Sequence, residues 1–154
     1  MRELTSEALA RLAIAALERT AFLMAERDDG GGDALPQASH FVQIEYRGPE
    51  RGHVLLAASE GFVRSLVAGV LGDDPGSADI ARHGADAMRE MANILGGSLI
   101  SEIGGACCPF LLGLPADCTA AQMPQDPTES ATLNVEGERL DVYWVRESTM
   151  SEAA

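Results

Sequence analysis

Asp86, Glu90 and Asn93 stand four and then three residues apart in the segment Asp86-Ala87-Met88-Arg89-Glu90-Met91-Ala92-Asn93. At 100° per residue, these three and Gly97 fall within about 60° of one another, a polar stripe along about two turns of helix. A carboxylate can only accept hydrogen bonds or pair with a cation. An amide accepts through its carbonyl and donates through its NH₂. An exposed asparagine in mid-helix is mildly unfavourable by propensity, so helix formation alone does not account for Asn93. Ile94 and Ile100 flank the stripe, and an apolar border on a solvent face suits a docking surface. The opposing explanation is that any solvated helix carries polar residues on its outer face.

Other reactive side chains form no comparable pattern. His40, His53 and His83 are scattered, with His83 near the stripe. No serine or cysteine has a recognisable base partner. Cys107, Cys108 and Cys118 are odd in number and contain no Cys-x-x-Cys spacing, which argues against a disulfide framework or a zinc site and for small buried hydrophobes. Asp126, Glu129, Glu136, Glu138 and Asp141 read as solvated strand edge and loop. The run Asp28-Asp29-Gly30-Gly31-Gly32-Asp33 is followed by no Lys-Ser/Thr, so it is not a phosphate cradle. No metal site is expected.

The stripe needs a scaffold, and the composition bounds it. The chain has 154 residues, the size of one domain, with 46% hydrophobic but only 5% aromatic residues, so aliphatic side chains must build the core. A net charge of -13 with eleven Lys and Arg spread along the chain disfavours nucleic acid and anionic membrane surfaces as partners. No segment is long and apolar enough to span a bilayer, and Glu3, Glu7, Glu18 and Arg19 interrupt any signal-like apolar run. The expectation is a cytoplasmic single domain over 1–154, with a flexible loop at about 28–38 and a frayed tail at 148–154.

Periodicity supplies the elements. Leu9, Leu12, Ala13, Ala16, Thr20 and Leu23 predict a helix over roughly Ser6 to Glu26, stopped by the Asp/Gly run and Pro36. Alternation predicts a strand over His40 to Arg47, with Val42, Ile44 and Tyr46 facing inward, and a return strand over Gly52 to Ala58. Ser59 is a candidate cap for a helix through Leu71 that ends at Gly72. After the loop Asp73-Asp74-Pro75-Gly76, Ser77 is expected to cap the longest helix, roughly Ala78 to Ile103, ended by Gly104-Gly105. Its buried stripe is Ala81, Ala85, Met88, Ala92, Leu95 and Leu99. A buried strand is expected from Cys107 to Leu114 and another from Cys118 to Met123. A hairpin then joins Ser130 to Val135 with Glu138 to Arg146 across Glu136-Gly137. The fold class is α/β of the α+β kind: a mostly antiparallel sheet packed against two long helices and one shorter one.

On these residues the chain resembles the CheX/CheC family of response-regulator phosphatases. Asp86-x-x-x-Glu90-x-x-Asn93 is similar to the family's Asp/Ser-x-x-x-Glu-x-x-Asn signature, and Gly96 resembles the family glycine that follows it. The opening helix, hairpin, short helix and closing strands occur in the family's order. The family proline lies about 22 residues beyond the asparagine, and Pro109 and Pro115 both compete for it. Gly97 stands where many relatives have a second asparagine.

The resemblance implies an activity: hydrolysis of the aspartyl phosphate on a CheY-like receiver domain. The chain needs no cofactor of its own, since the receiver supplies Mg²⁺ and a lysine. Asn93 would place a water in line with the phosphorus, where a carboxylate would repel the phosphoryl group. Glu90 would pair with the receiver lysine and set the register, with Asp86, Ile94, Gly97 and Ile100 contacting the partner around them. The resemblance also implies a homodimer through sheet edges. The alternative is a CheX-like module that docks a receiver or a flagellar-switch-type partner without hydrolysis.

Overall fold

The computed structural model describes residues 3–72, 74, 76, 79–105 and 109–147. Three helices cover one face of a seven-stranded antiparallel sheet. The elements are α1 (Ser6–Ala21), β1 (Ala25–Arg27), β2 (His40–Arg47), β3 (Arg51–Ala58), α2 (Glu60–Leu71), α3 (Ile80–Gly104), β4 (Leu111–Leu112), β5 (Ala116–Asp117), β6 (Glu129–Val135) and β7 (Glu138–Arg146). The strand order is β1-β6-β7-β3-β2-β4, and β5 also pairs with β2. This is the expected α+β class.

Alternation explains the central strands. Val42, Ile44 and Tyr46 of β2 pair with Leu56, Val54 and Gly52 of β3, and Leu56 and Val54 pair in turn with Val142 and Trp144 of β7. Directly paired residues share a face, and this apolar face meets the helices in one core. Gln43, Glu45, His53, Thr132, Asp141 and Tyr143 lie on the opposite face. The β6–β7 hairpin forms as expected. Glu136 and Gly137 both take positive φ, 53° and 92°, and the two-residue turn matches the strand twist.

The first helix ends earlier than its periodicity suggests. Thr5 caps it by accepting from the Ala8 N–H, but Phe22 adopts a left-handed cap (φ 58°) and its N–H returns to the Leu17 carbonyl. Leu23 is buried through that turn, not through another helical one. The chain released there forms β1, which pairs Ala25, Glu26 and Arg27 with Val135, Asn134 and Leu133 and covers the open edge of β6. The following loop is tied at its ends, where Asp28 N–H donates to the Thr132 carbonyl and Arg139 Nε to the Pro36 carbonyl.

Ser59 precedes α2 as expected, but its hydroxyl does not cap the helix; it donates to Glu138 and accepts from the Arg139 N–H. Gly72 closes α2 in the left-handed conformation. The long helix starts later than expected: Asp79 is its cap, accepting from the Arg82 N–H, and the expected cap Ser77 lies outside the described residues.

The apolar run after α3 is not a buried strand. Its described part forms β4, two residues on the outer edge of β2, with Leu111 and Leu114 exposed. Cys107 and Cys108 lie outside the described residues. The second expected strand is also absent: β5 precedes it, and Ala120–Gln122 is a 3₁₀ turn capped by Thr119. Gly113 and Pro115 divide β4 from β5, and Pro115 has no N–H to give a ladder. The edge of β2 is therefore covered in two short pieces, which is why an apolar sequence stays half in solvent. The tail 148–154 lies outside the described residues.

Candidate functional site

Helix α3 is held to the core by Met88, Met91, Ala92, Leu95, Leu99 and Ile103, all nearly inaccessible. Two glycines bring it close to its neighbours. A Cβ on Gly84 would lie 3.1 Å from Val63 Cγ1 of α2, and one on Gly96 would lie 2.9 Å from Leu112 Cδ1 and 3.1 Å from Ile44 Cγ2. Ala81 and Ala85, expected in the buried stripe, are exposed. Ala85 overlooks a groove at the His40 end of β2, beside Asp117 and Cys118, where no strand reaches it.

The opposite face presents the stripe. Asp86, Glu90 and Asn93 are all exposed on consecutive turns, and Gly97 is half-exposed with open space where a Cβ would project. Ile94 and Ile100 are half-buried and pack against the core, so they are not a fully exposed apolar border; only part of each is left for a partner.

The three polar residues are not equivalent. Asp86 is engaged within the chain: Arg89 Nη2 donates to Asp86 Oδ1, and Arg89 Nη1 donates to both carboxylate oxygens of Asp117 at 3.0 Å. The hydrogen bond to Asp86, then that to Asp117, pushes the Arg89 guanidinium pKa further up. Arg89 thus links the stripe to β5. Sequence reasoning missed it; the i,i+3 spacing from Asp86 was the available signal. Glu90 and Asn93 have no hydrogen bond or ion pair among the described residues. They are held by the helix backbone alone, with their polar atoms available.

Beside the stripe, α2 and α3 enclose a groove of about 270 Å³. Val67, Val70 and Leu71 line it from α2, and His83, Asp86, Ala87 and Glu90 from α3. His83 is thus half-buried in a groove next to the stripe and not simply solvated.

The other candidates are occupied with structure. His53 lies 3.3 Å from Glu147 and 3.9 Å from Glu45. Much of the acidic run is not free surface: Asp141 is buried and accepts from Thr132 Oγ1 at 2.7 Å and Arg139 at 3.3 Å, Glu129 accepts from Ser6, and Glu138 from Ser59. Burial, then Asp117, pushes the Cys118 thiol pKa up, the wrong direction for a nucleophile. Among the described residues no three His, Cys, Asp or Glu side chains converge to hold a metal, and no helix is long and apolar enough to cross a membrane.

Solved structures share this architecture. CheX from Vibrio vulnificus superposes with a TM-score of 0.72 at 14% identity, covering 90% of this chain and 96% of that one. CheX from Desulfovibrio desulfuricans gives 0.70 at 14% identity, covering 92% and 98%. A complex of CheX, CheY, BeF₃ and Mg²⁺ from Borrelia burgdorferi gives 0.66 at 12% identity, covering 92% and 97%. At such identities these similarities establish the fold. No curated protein matches the chain significantly by sequence. Residues 41–136, however, match the family model described as Chemotaxis phosphatase CheX, a stretch that holds β2 through the β6–β7 turn and all of the α3 stripe. Well over half of the chain is matched in this way, and the protein belongs to the CheX family of chemotaxis phosphatases.

Proposed function

We propose that this chain accelerates hydrolysis of the aspartyl phosphate on a CheY-like receiver domain, with Asn93 orienting the attacking water and Glu90 pairing with a receiver lysine. The observation that carries this reading is the state of the two side chains. They stand exposed one turn apart on a rigid helix, inside the stretch matched to CheX, without an intramolecular partner among the described residues. The CheX–CheY complex from Borrelia burgdorferi supports a receiver as the partner.

The reaction asks little of this chain's own chemistry. Water oxygen bonds to phosphorus as the acyl phosphate P–O bond breaks, the receiver aspartate leaves as a carboxylate, and inorganic phosphate carries away the water's protons. An acyl phosphate is an activated leaving group, so positioning contributes most of the rate. The Asn93 carbonyl accepts from the water while its NH₂ donates to a phosphoryl oxygen. Glu90 meets the receiver lysine and fixes the register. Asp86, already held by Arg89, borders the contact, and Gly97 and the exposed parts of Ile94 and Ile100 continue it. The chain contributes no metal; the Mg²⁺ that neutralises phosphoryl charge belongs to the receiver. Self-association through sheet edges is a separate expectation, checked by sedimentation.

The test is the lifetime of phosphate on each receiver domain from the same organism, with and without this protein. At least one lifetime should shorten at catalytic concentrations of the chain. If a phosphorylated receiver binds and its lifetime is unchanged, the chain is a docking module.

A further inference from the structure

The groove between α2 and α3 opens beside the stripe and shares Asp86 and Glu90 with it, but its apolar residues Val67, Val70 and Leu71 have no part in the chemistry above. Its floor is Val67, almost fully buried, and its upper wall is Val70 and Leu71, which are 54% and 52% exposed in the last turn of α2. Large aliphatic side chains so exposed at the edge of a concave apolar surface call for a partner. The volume, about 270 Å³, exceeds the roughly 150 Å³ cavity that accepts a benzene molecule, so one side chain fits with room for its stem.

The rim identifies what fits. Its carboxylates are Asp86 and Glu90; Asp86 is neutralised by Arg89, while Glu90 has no partner among the described residues. An apolar floor continuous with one available carboxylate is complementary to an aliphatic side chain adjoining a basic one. We infer that this groove is a specificity pocket that takes one aliphatic side chain of the receiver domain, next to the lysine that Glu90 engages. The inference rests on the receiver reading and deepens it. The stripe would act on a phosphoryl site common to receivers, whereas the groove reads a neighbouring residue that can differ among them, so it selects among receivers without contributing to hydrolysis.

Val70→Ser and Leu71→Ser, singly and together, test this with the full chain and the receiver domain that the unmodified protein dephosphorylates. Both residues are more than half exposed, so the melting temperature should hardly move. Loss of contact with one aliphatic group should raise KM about tenfold in the double variant with kcat at saturation unchanged, because such binding is equally strong before and at the transition state. In the unmodified chain, the Val70 and Leu71 methyl resonances should shift when the phosphorylated receiver binds. Unchanged KM in the double variant, or unmoved methyls in a complex that forms, would overturn the pocket and leave the phosphatase reading intact. An unmodified chain that neither binds nor dephosphorylates any receiver would overturn both.

Discussion

Asn93 and Glu90 are both exposed on α3 and one turn apart, but an amide and a carboxylate act at different points of the reaction coordinate. If Asn93 holds the water in line, its contribution is largest in the transition state. Asn93→Ala should then cut turnover about 10²–10³-fold, the cost typical of one preorganised hydrogen-bonding group, and leave receiver binding nearly intact. Glu90→Ala removes an intermolecular charge pair, so it should weaken binding and lower turnover only through poorer register. Steady-state kinetics with a binding titration separates the two, and full activity in Asn93→Ala would return the stripe to ordinary helix surface. The spacing of Asp86, Glu90 and Asn93 was legible in the sequence because a helix converts spacing into direction. The state of Asp86 was legible only in part, through the i,i+3 spacing of Arg89. Its partner Arg89 is fixed by Asp117, 28 residues further on in β5, and no local pattern announces that contact.

Periodicity located α2, β2, β3 and the closing hairpin within a residue or so, since each has one face in the core and capping or turn residues at its ends. It failed where the sheet's edges decide. The pattern of α1 ran on to Leu23 because Leu23 is buried, yet a left-handed Phe22 and the open edge of β6 make that segment a turn and a strand. The run from Pro109 to Leu114 is apolar without being buried for the same reason: β4 is an edge. On α3, close approach is set by glycines, and two adjacent ones have opposite surroundings. A Cβ at Gly97 meets nothing within 4 Å, so Gly97→Ala should gain the helix propensity of about 1 kcal/mol and raise the melting temperature by about 2–4 °C. At Gly96 the same gain is opposed by contact with Leu112 and with the fully buried, β-branched Ile44, which has little room to yield. Gly96→Ala should therefore lower stability by about 1 kcal/mol. Thermal melts of the two variants check the sign, and a stabilised Gly96→Ala would mean that α3 sits further from the sheet than described.

The whole molecule is closed by a polar network around the β2–β3 turn, at one end of the sheet. Trp144 Nε1 donates to the Tyr46 hydroxyl at 2.8 Å, that hydroxyl faces Glu50 at 3.5 Å, and Arg146 Nε donates to Glu50 at 2.6 Å while its Nη1 reaches Glu3 at 2.7 Å. This joins the N-terminal segment, the β2–β3 turn and β7: Trp144, Tyr46 and Glu50 are buried, Arg146 is partly exposed and Glu3 lies at the surface. Burial above all, with the negative charge of Glu50 adding to it and the Trp144 hydrogen bond opposing it, pushes the Tyr46 pKa up to about 12. In the unfolded chain the phenol titrates near 10. The folded pKa is the higher one, so the folded state keeps a proton that the unfolded state gives up. The associated stability is complete below about pH 10 and is lost as pH rises to about 12, a fall of roughly 2–3 kcal/mol. Tyr46→Phe cannot ionise, but it leaves the buried Trp144 N–H without its acceptor, which costs about 1–3 kcal/mol near neutrality. Denaturant unfolding of the two proteins should therefore show Tyr46→Phe less stable at neutral pH and the gap narrowing between about pH 10 and 12. A gap that stays constant across that range would mean that Tyr46 ionises as readily in the folded protein as in the unfolded one, and that the network does not hold its proton.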